Sequence, residues 1–209
     1  MRRFFGLPAE QSASARFSHA HACRSVLLVA VLLAGPARAE LIGLAGIAAW
    51  DALPVGEKAK IKTTIQSFFL HQSVGGDLED GAEAGGYKFE YAASGASSLA
   101  NGLNGGLFVS GNGNASGKIS EFRSMALANK NTLRVAIMKF GYADIVSGTV
   151  AVAQTNYLAA VNAIKAEGMR VLHITPPLVY GVPSENAPKM QLRAWMSSTF
   201  PGDVIFDLE

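Results

Sequence analysis

The stretch Ser67–Asp80, SFFLHQSVGGDLED, decides how the fold is read. An apolar run ends in His71-Gln72-Ser73, passes two glycines and turns acidic, which is the pattern of a buried strand giving way to a helix. Two later runs, LRVAIMKF (Leu133–Phe140) and MRVLHITPPL (Met169–Leu178), are almost continuously apolar rather than alternating. Strands covered on both faces in a parallel sheet have that character. The opening run, extended back to Ile65, joins these two, and YKFEYAA (Tyr87–Ala93) and DVIFDL (Asp203–Leu208) bring the expected strands to five.

Helical patterns separate them. GKISEFRSMALANK (Gly117–Lys130) puts Ile119, Phe122, Met125 and Ala126 on one stripe. AVAQTNYLAAVNAIKAEG (Ala151–Gly168) does the same with Tyr157, Leu158, Val161 and Ile164 and stops at a glycine. APKMQLRAWMSSTF (Ala187–Phe200) is a third, closed by Pro201-Gly202. Strand and helix in regular alternation predict a doubly wound α/β fold. Ser94–Gly117, rich in Gly, Ser and Asn, is expected to be a long functional loop. Its GNGNASG lacks the Lys-Ser/Thr ending of a phosphate-binding loop.

Residues 1–39 read as a leader rather than as part of the domain. Arg2, Arg3, Arg16 and Arg24 precede the short apolar run SVLLVAVLLAG (Ser25–Gly35), and PARA (Pro36–Ala39) offers a small-x-small exit. This is the layout of a signal peptide cleaved after Ala39, with a secreted or periplasmic domain over residues 40–209. The run is too short to span a bilayer, which takes about 20 residues. The single cysteine, Cys23, lies inside the leader, so the mature chain has no disulfide or thiolate chemistry. Without the leader, 13 Lys/Arg face 15 Asp/Glu, and the formal charge changes from +2 to −2. No basic patch with interleaved aromatics remains, which argues against nucleic acid as a partner. Two distant histidines and scattered carboxylates give no metal-ligand spacing.

In an open parallel sheet, ligands bind beyond the C-terminal strand ends. Those ends carry His71, Gln72 and Ser73, the Ser94–Gly117 loop, KFGYAD (Lys139–Asp144), TPPL (Thr175–Leu178) and Asp207. Ser73 has two readings. It is either an N-cap whose hydroxyl accepts from the first helical turn or a nucleophile with helix amides beside it to stabilise an oxyanion. Lys139 and Asp144 either pair with each other or orient a substrate hydroxyl. His173, in the middle of its strand, reads as a hydrogen-bonded core histidine.

FFLHQSVGG, GNGNASGKISEF, VAIMKFGYADI, VLHITPPL and VIFDLE occur in the order found in secreted HQSVG-type proteins related to the SGNH/GDSL hydrolases. The chain resembles that family over most of residues 61–209. The resemblance implies a flavodoxin-like three-layer sandwich with a central parallel sheet. It also implies a serine esterase acting on acyl groups, of carbohydrates among others, with no cofactor. Ser73 falls at the nucleophile, with His71-Gln72 in place of Gly-Asp. Gly95 or the Asn112-Gly113 turn takes the place of the glycine amide donor of the second block. Gly141-Tyr142-Ala143-Asp144 matches the third block, Gly-x-Asn-Asp, with Ala143 where the oxyanion asparagine is expected. Loss of one such donor costs about 3 kcal/mol of transition-state stabilisation; Asn112 is a candidate substitute.

The family's last block, Asp-x-x-His, is not in this chain, since Asp207 has no histidine three residues on. The domain is therefore expected to lack its C-terminal helix, and a serine without a base is a poor nucleophile. Three functions stay open: an esterase, a non-catalytic relative binding a glycan or acyl-bearing ligand, and a structural α/β protein in which Ser73 is only a cap.

Overall fold

All five residues of Ser67–His71 are buried, because this strand lies inside a sheet covered on both faces. The computed structural model describes residues 39–42, 44–92, 96 and 98–208. Its elements are β1 (Glu40–Ile42), α1 (Leu44–Asp51), α2 (Val55–Thr63), β2 (Ser67–His71), α3 (Val74–Ala84), β3 (Glu90–Tyr91), β4 (Leu103–Leu107), α4 (Ala115–Ala128), β5 (Val135–Met138), α5 (Val150–Ala166), β6 (Arg170–Ile174), α6 (Pro183–Thr199) and β7 (Val204–Phe206). The strands form one sheet in the order β1-β7-β6-β5-β2-β4-β3, and every pairing is parallel. The protein is an α/β three-layer sandwich of the flavodoxin-like type. Among the described residues no helix is long and apolar enough to cross a membrane.

Period-two alternation sorts the side chains of the strands. Phe68, Leu70, Met138, Val171 and Ile205 face α4, α5 and α6 in the larger core. Phe69, Ile137 and Ile174 face the opposite layer, where Leu78 of α3 and Phe89 pack on them. On this second face an apolar cavity of about 670 Å³ lies between Trp50, Ile61, Ala82 and Tyr87 and the sheet residues Ile137 and Leu172.

Two strands escape the sequence expectation. β1 starts at the residue after the expected cleavage point and pairs with β7, Glu40 opposite Val204. β4, LNGGL, lies within the segment expected to be a loop and is the direct neighbour of β2. Its glycines conceal it from strand propensity, yet packing requires them. A Cβ on Gly105 would lie 2.3 Å from Glu79 Oε1, and one on Gly106 2.8 Å from Phe68 Cζ. Buried Asn104 then fixes the preceding turn, its amide donating to the Ser67, Ala100 and Gly102 carbonyls at 3.0, 2.9 and 3.2 Å. Conversely, Tyr87–Ala93 shrinks to the two-residue edge strand β3.

Candidate active site

β2 leads into α3 on the second face, whereas its neighbours β4 and β5 lead into α4 and α5 on the first. The crossovers diverge at β2, and such a switch point opens a crevice beyond the strand ends. Ser73 stands in the tight turn between β2 and α3, exposed to solvent. Its backbone has φ 52° and ψ −124°, and it is the one non-glycine residue with positive φ among those described. A side chain at such a position costs on the order of 1–3 kcal/mol, a strain that clusters at functional sites. Strand-to-helix turns that thrust a nucleophile out of the sheet are strained in this way.

Ser73 occupies the N-cap position of α3, but its side chain makes no capping hydrogen bond. The capping expectation is thereby corrected: the backbone is turned too sharply for the hydroxyl to serve the first turn. The Gly75 and Gly76 amides reach back to the Gln72 and Ser73 carbonyls at 3.2 and 2.6 Å. Among the described residues the Ser73 and Val74 amides have no backbone acceptor, as befits the first amides of a helix, which have none within it.

The 108–114 segment runs beside the end of β2 and is held at four points. Gln72 Nε2 donates to the Phe108 and Ser110 carbonyls at 2.8 and 3.1 Å. The Glu121 carboxylate accepts from the Val109 and Ser110 amides at 2.8 and 2.7 Å. Asn114 caps α4 by accepting from the Gly117 amide. Asp144 Oδ1 accepts from the Gly113 amide at 2.8 Å. Gln72 therefore joins the strand end to this segment.

Asp144 works from below the surface. Fully buried, it takes Lys118 Nζ at 2.9 and 2.8 Å on its two oxygens, and Oδ2 also accepts from the Gly141 amide at 2.6 Å. One carboxylate thus ties the Gly141 turn after β5 to the Gly113 turn before α4. The pairing of Lys139 with Asp144 allowed by the sequence is replaced by this Lys118–Asp144 pair. Lys118 was missed because on a helical stripe it reads as a solvated charge; Ile119, its neighbour, marks the buried side. Asn112 is exposed, with Oδ1 3.4 Å from Lys118 Nζ. Gly141 is buried alongside, and a Cβ there would come 3.4 Å from Asn112 Oδ1. Asn112, Gly113, Gly141 and Asp144 are thus brought together, while Gly95 lies outside the described residues.

Lys139 is 1% exposed. Among the described residues its Nζ has one hydrogen bond, to the Gln72 carbonyl at 3.4 Å, and no carboxylate at ion-pair distance. Burial lowers its pKa to about 8, nearby Lys118 adds to the fall, and Asp144 and Asp77 oppose it.

The histidines are engaged elsewhere. His71, on the α3 side of β2, has Nε2 3.0 Å from Glu79 Oε1 and 3.2 Å from the Tyr91 hydroxyl. The Tyr91 hydroxyl donates in turn to Glu79 Oε2, and burial lowers the His71 pKa more than Glu79 raises it. Gly75 is needed above the ring, since a Cβ there would lie 2.3 Å from His71 Cβ. Nδ1 is buried with no hydrogen-bond partner among the described residues. His173 sits in the main core, Nδ1 3.0 Å from the Tyr157 hydroxyl and Nε2 3.2 Å from Asp203. Asp207 receives Arg193 Nε at 3.0 Å and the Thr175 hydroxyl at 3.1 Å. No protein-family model and no curated protein matches this chain.

Proposed function

We propose that the protein is an exported serine esterase in which Ser73 attacks the carbonyl of an acyl ester, carbohydrate esters among them. The observation that carries this reading is the strained backbone of an exposed serine at a topological switch point, without the capping bond that would explain it. Strain of this kind persists only where the surrounding structure enforces it. The Ser73 amide at the mouth of α3 and the Asn112 side chain beside Gly141 are the donors nearest in kind to an oxyanion hole. Leu107, Val109, Tyr142, Val146, Leu178 and Tyr180 are large apolar side chains left exposed at or beyond the C-terminal ends of β4, β5 and β6. An apolar rim beyond those strand ends suits an acyl chain. Export rests on the leader pattern of residues 1–39, and the small-molecule or carbohydrate ester partner on the family resemblance.

The second reading, a relative that binds a glycan or acyl-bearing ligand without turning it over, draws on Ala143 and on the two histidines committed to other partners. A serine-directed fluorophosphonate probe separates the two. Wild-type labelling at Ser73, lost in Ser73→Ala, is the expected result. A folded wild type that stays unlabelled while a glycan ester raises its melting temperature would establish the binding protein instead.

A further inference from the structure

We propose that Lys139 is the general base of a Ser73–Lys139 pair, taking the place that a histidine holds in serine esterases. The inference rests on Ser73 being the nucleophile and supplies the base that reading lacks. β2 and β5 are hydrogen-bonded neighbours, Leu70 opposite Met138. The residues that follow them leave the sheet on either side of the switch point. Lys139 Nζ lies 3.4 Å from the carbonyl oxygen of Gln72, the carbonyl of the peptide leading into Ser73. The amine is thus held one peptide from the Ser73 Cα, on the β5 side of the turn.

Three observations distinguish this lysine from a structural one. It is buried with no carboxylate at ion-pair distance among the described residues, although Asp144 is close enough to act on it. Asp144 is instead saturated by Lys118 and two backbone amides. The carbonyl that Lys139 Nζ meets belongs to Gln72, which also holds the 108–114 segment, so amine and segment share one anchor next to Ser73. Charged and titratable groups reach it from each surrounding element: Asp77 on α3, Lys118 on α4, Asp144 after β5 and His71 on β2. Lys118 and burial favour the neutral amine; the two aspartates oppose it. Buried lysines with a lowered pKa serve as general bases.

The chemistry balances without any other reagent. Neutral Lys139 accepts the Ser73 hydroxyl proton as Oγ bonds to the acyl carbon and the carbonyl electrons move to oxygen. Collapse of that oxyanion expels the alkoxide, which takes the proton from the Lys139 ammonium and leaves as alcohol. Water then attacks the acyl-enzyme, Lys139 takes its proton, and collapse returns the proton to Ser73 Oγ as the acid departs.

The test is the rate of fluorophosphonate labelling and of p-nitrophenyl acetate hydrolysis between pH 5.5 and 10, on the full chain, with melting curves as a folding control. Expected are a wild-type rate rising to a plateau with a midpoint near 8, a loss of at least about 100-fold in Lys139→Met, and partial recovery in Lys139→Ala on adding methylamine. Labelling of Ser73 in folded Lys139→Met within about threefold of wild type would overturn the lysine base and leave the esterase standing. A wild-type midpoint at or below about 6.5 would do so without any variant, since it points to a histidine. A folded wild type unlabelled at every pH would overturn the esterase reading, and the pair with it.

Discussion

A strained Ser73 has a consequence that separates backbone from hydroxyl. Ser73→Ala removes the nucleophile but keeps a Cβ at φ 52°, so its stability should stay near that of wild type. Ser73→Gly removes the same hydroxyl and the strain, because glycine occupies positive φ at no steric cost. We expect the glycine variant to be more stable than the alanine one by about 1 kcal/mol, read as the difference in chemical denaturation midpoints, with labelling absent in both. Equal stability would mean that the turn is not strained. Lys139 makes a similar pair of statements. A lysine whose folded pKa is near 8 rather than 10.5 binds fewer protons folded than unfolded between those values. Stability therefore rises with pH across that window and is lower beneath it. Lys139→Met removes the penalty, so at pH 7 the variant should melt above wild type while losing activity, and the difference should shrink between pH 8 and 10.5. The sequence marked both residues, Ser73 as a serine at a strand–helix junction and Lys139 as a charge inside an apolar run. Neither the positive φ nor the missing capping bond was legible there, because backbone dihedrals are set by how β2 and α3 dock.

Asp144 acts at the scale of elements, since it pins the turn after β5 to the one before α4 through Lys118, Gly113 and Gly141. Asp144→Asn would leave the Lys118 ammonium buried, 0% exposed, without a counter-charge. Removing one partner of a buried pair costs about 3–5 kcal/mol, whereas replacing both by apolar residues is often neutral. Asp144→Leu combined with Lys118→Met should thus recover most of the stability lost in Asp144→Asn. Activity should stay low in the double variant, because the Gly113 and Gly141 amides lose their shared acceptor. Recovery of activity along with stability would mean that the clamp does not position the site. The three long helices were legible from their periodicity to within a few residues, apart from α6. That helix begins at Pro183 rather than Ala187, since proline suits a first turn where its missing amide is not needed. β4 was not legible: its glycines are selected by the side chains of Glu79 and Phe68 across the packing, contacts that no local pattern contains.

Across the whole molecule, burial dominates the two histidines. His71 and His173 both have pKa values lowered from 6.5, mainly by desolvation, with Glu79 and Asp203 opposing. The unfolded chain then binds more protons as the pH falls through about 6.5, and stability drops with it. The melting temperature should fall on going from pH 7 to pH 5. His173→Gln should melt lower at pH 7 but lose less of its stability over the same interval; an unchanged pH slope would show that His173 is not held neutral. The sheet explains why these rings sit where they do. Each occupies the face that alternation assigns to its strand, His71 toward α3 and His173 toward α5. By itself the sequence determined the parallel α/β architecture, because runs apolar on both sides that alternate with amphipathic helices are best buried between two helical layers. It also determined which residues stand at the C-terminal strand ends, because that follows from the order of strand and helix along the chain. Only the tertiary structure decided the partners: Lys118 rather than Lys139 for Asp144, Glu79 and Tyr91 for His71, and the Gln72 carbonyl for Lys139. The physical reason is that a buried charge is satisfied by whatever group the packing brings within about 3 Å. Those groups come from α4 for Asp144, from α3 and β3 for His71 and from the turn after β2 for Lys139, elements that only the docking of helices and strands brings together.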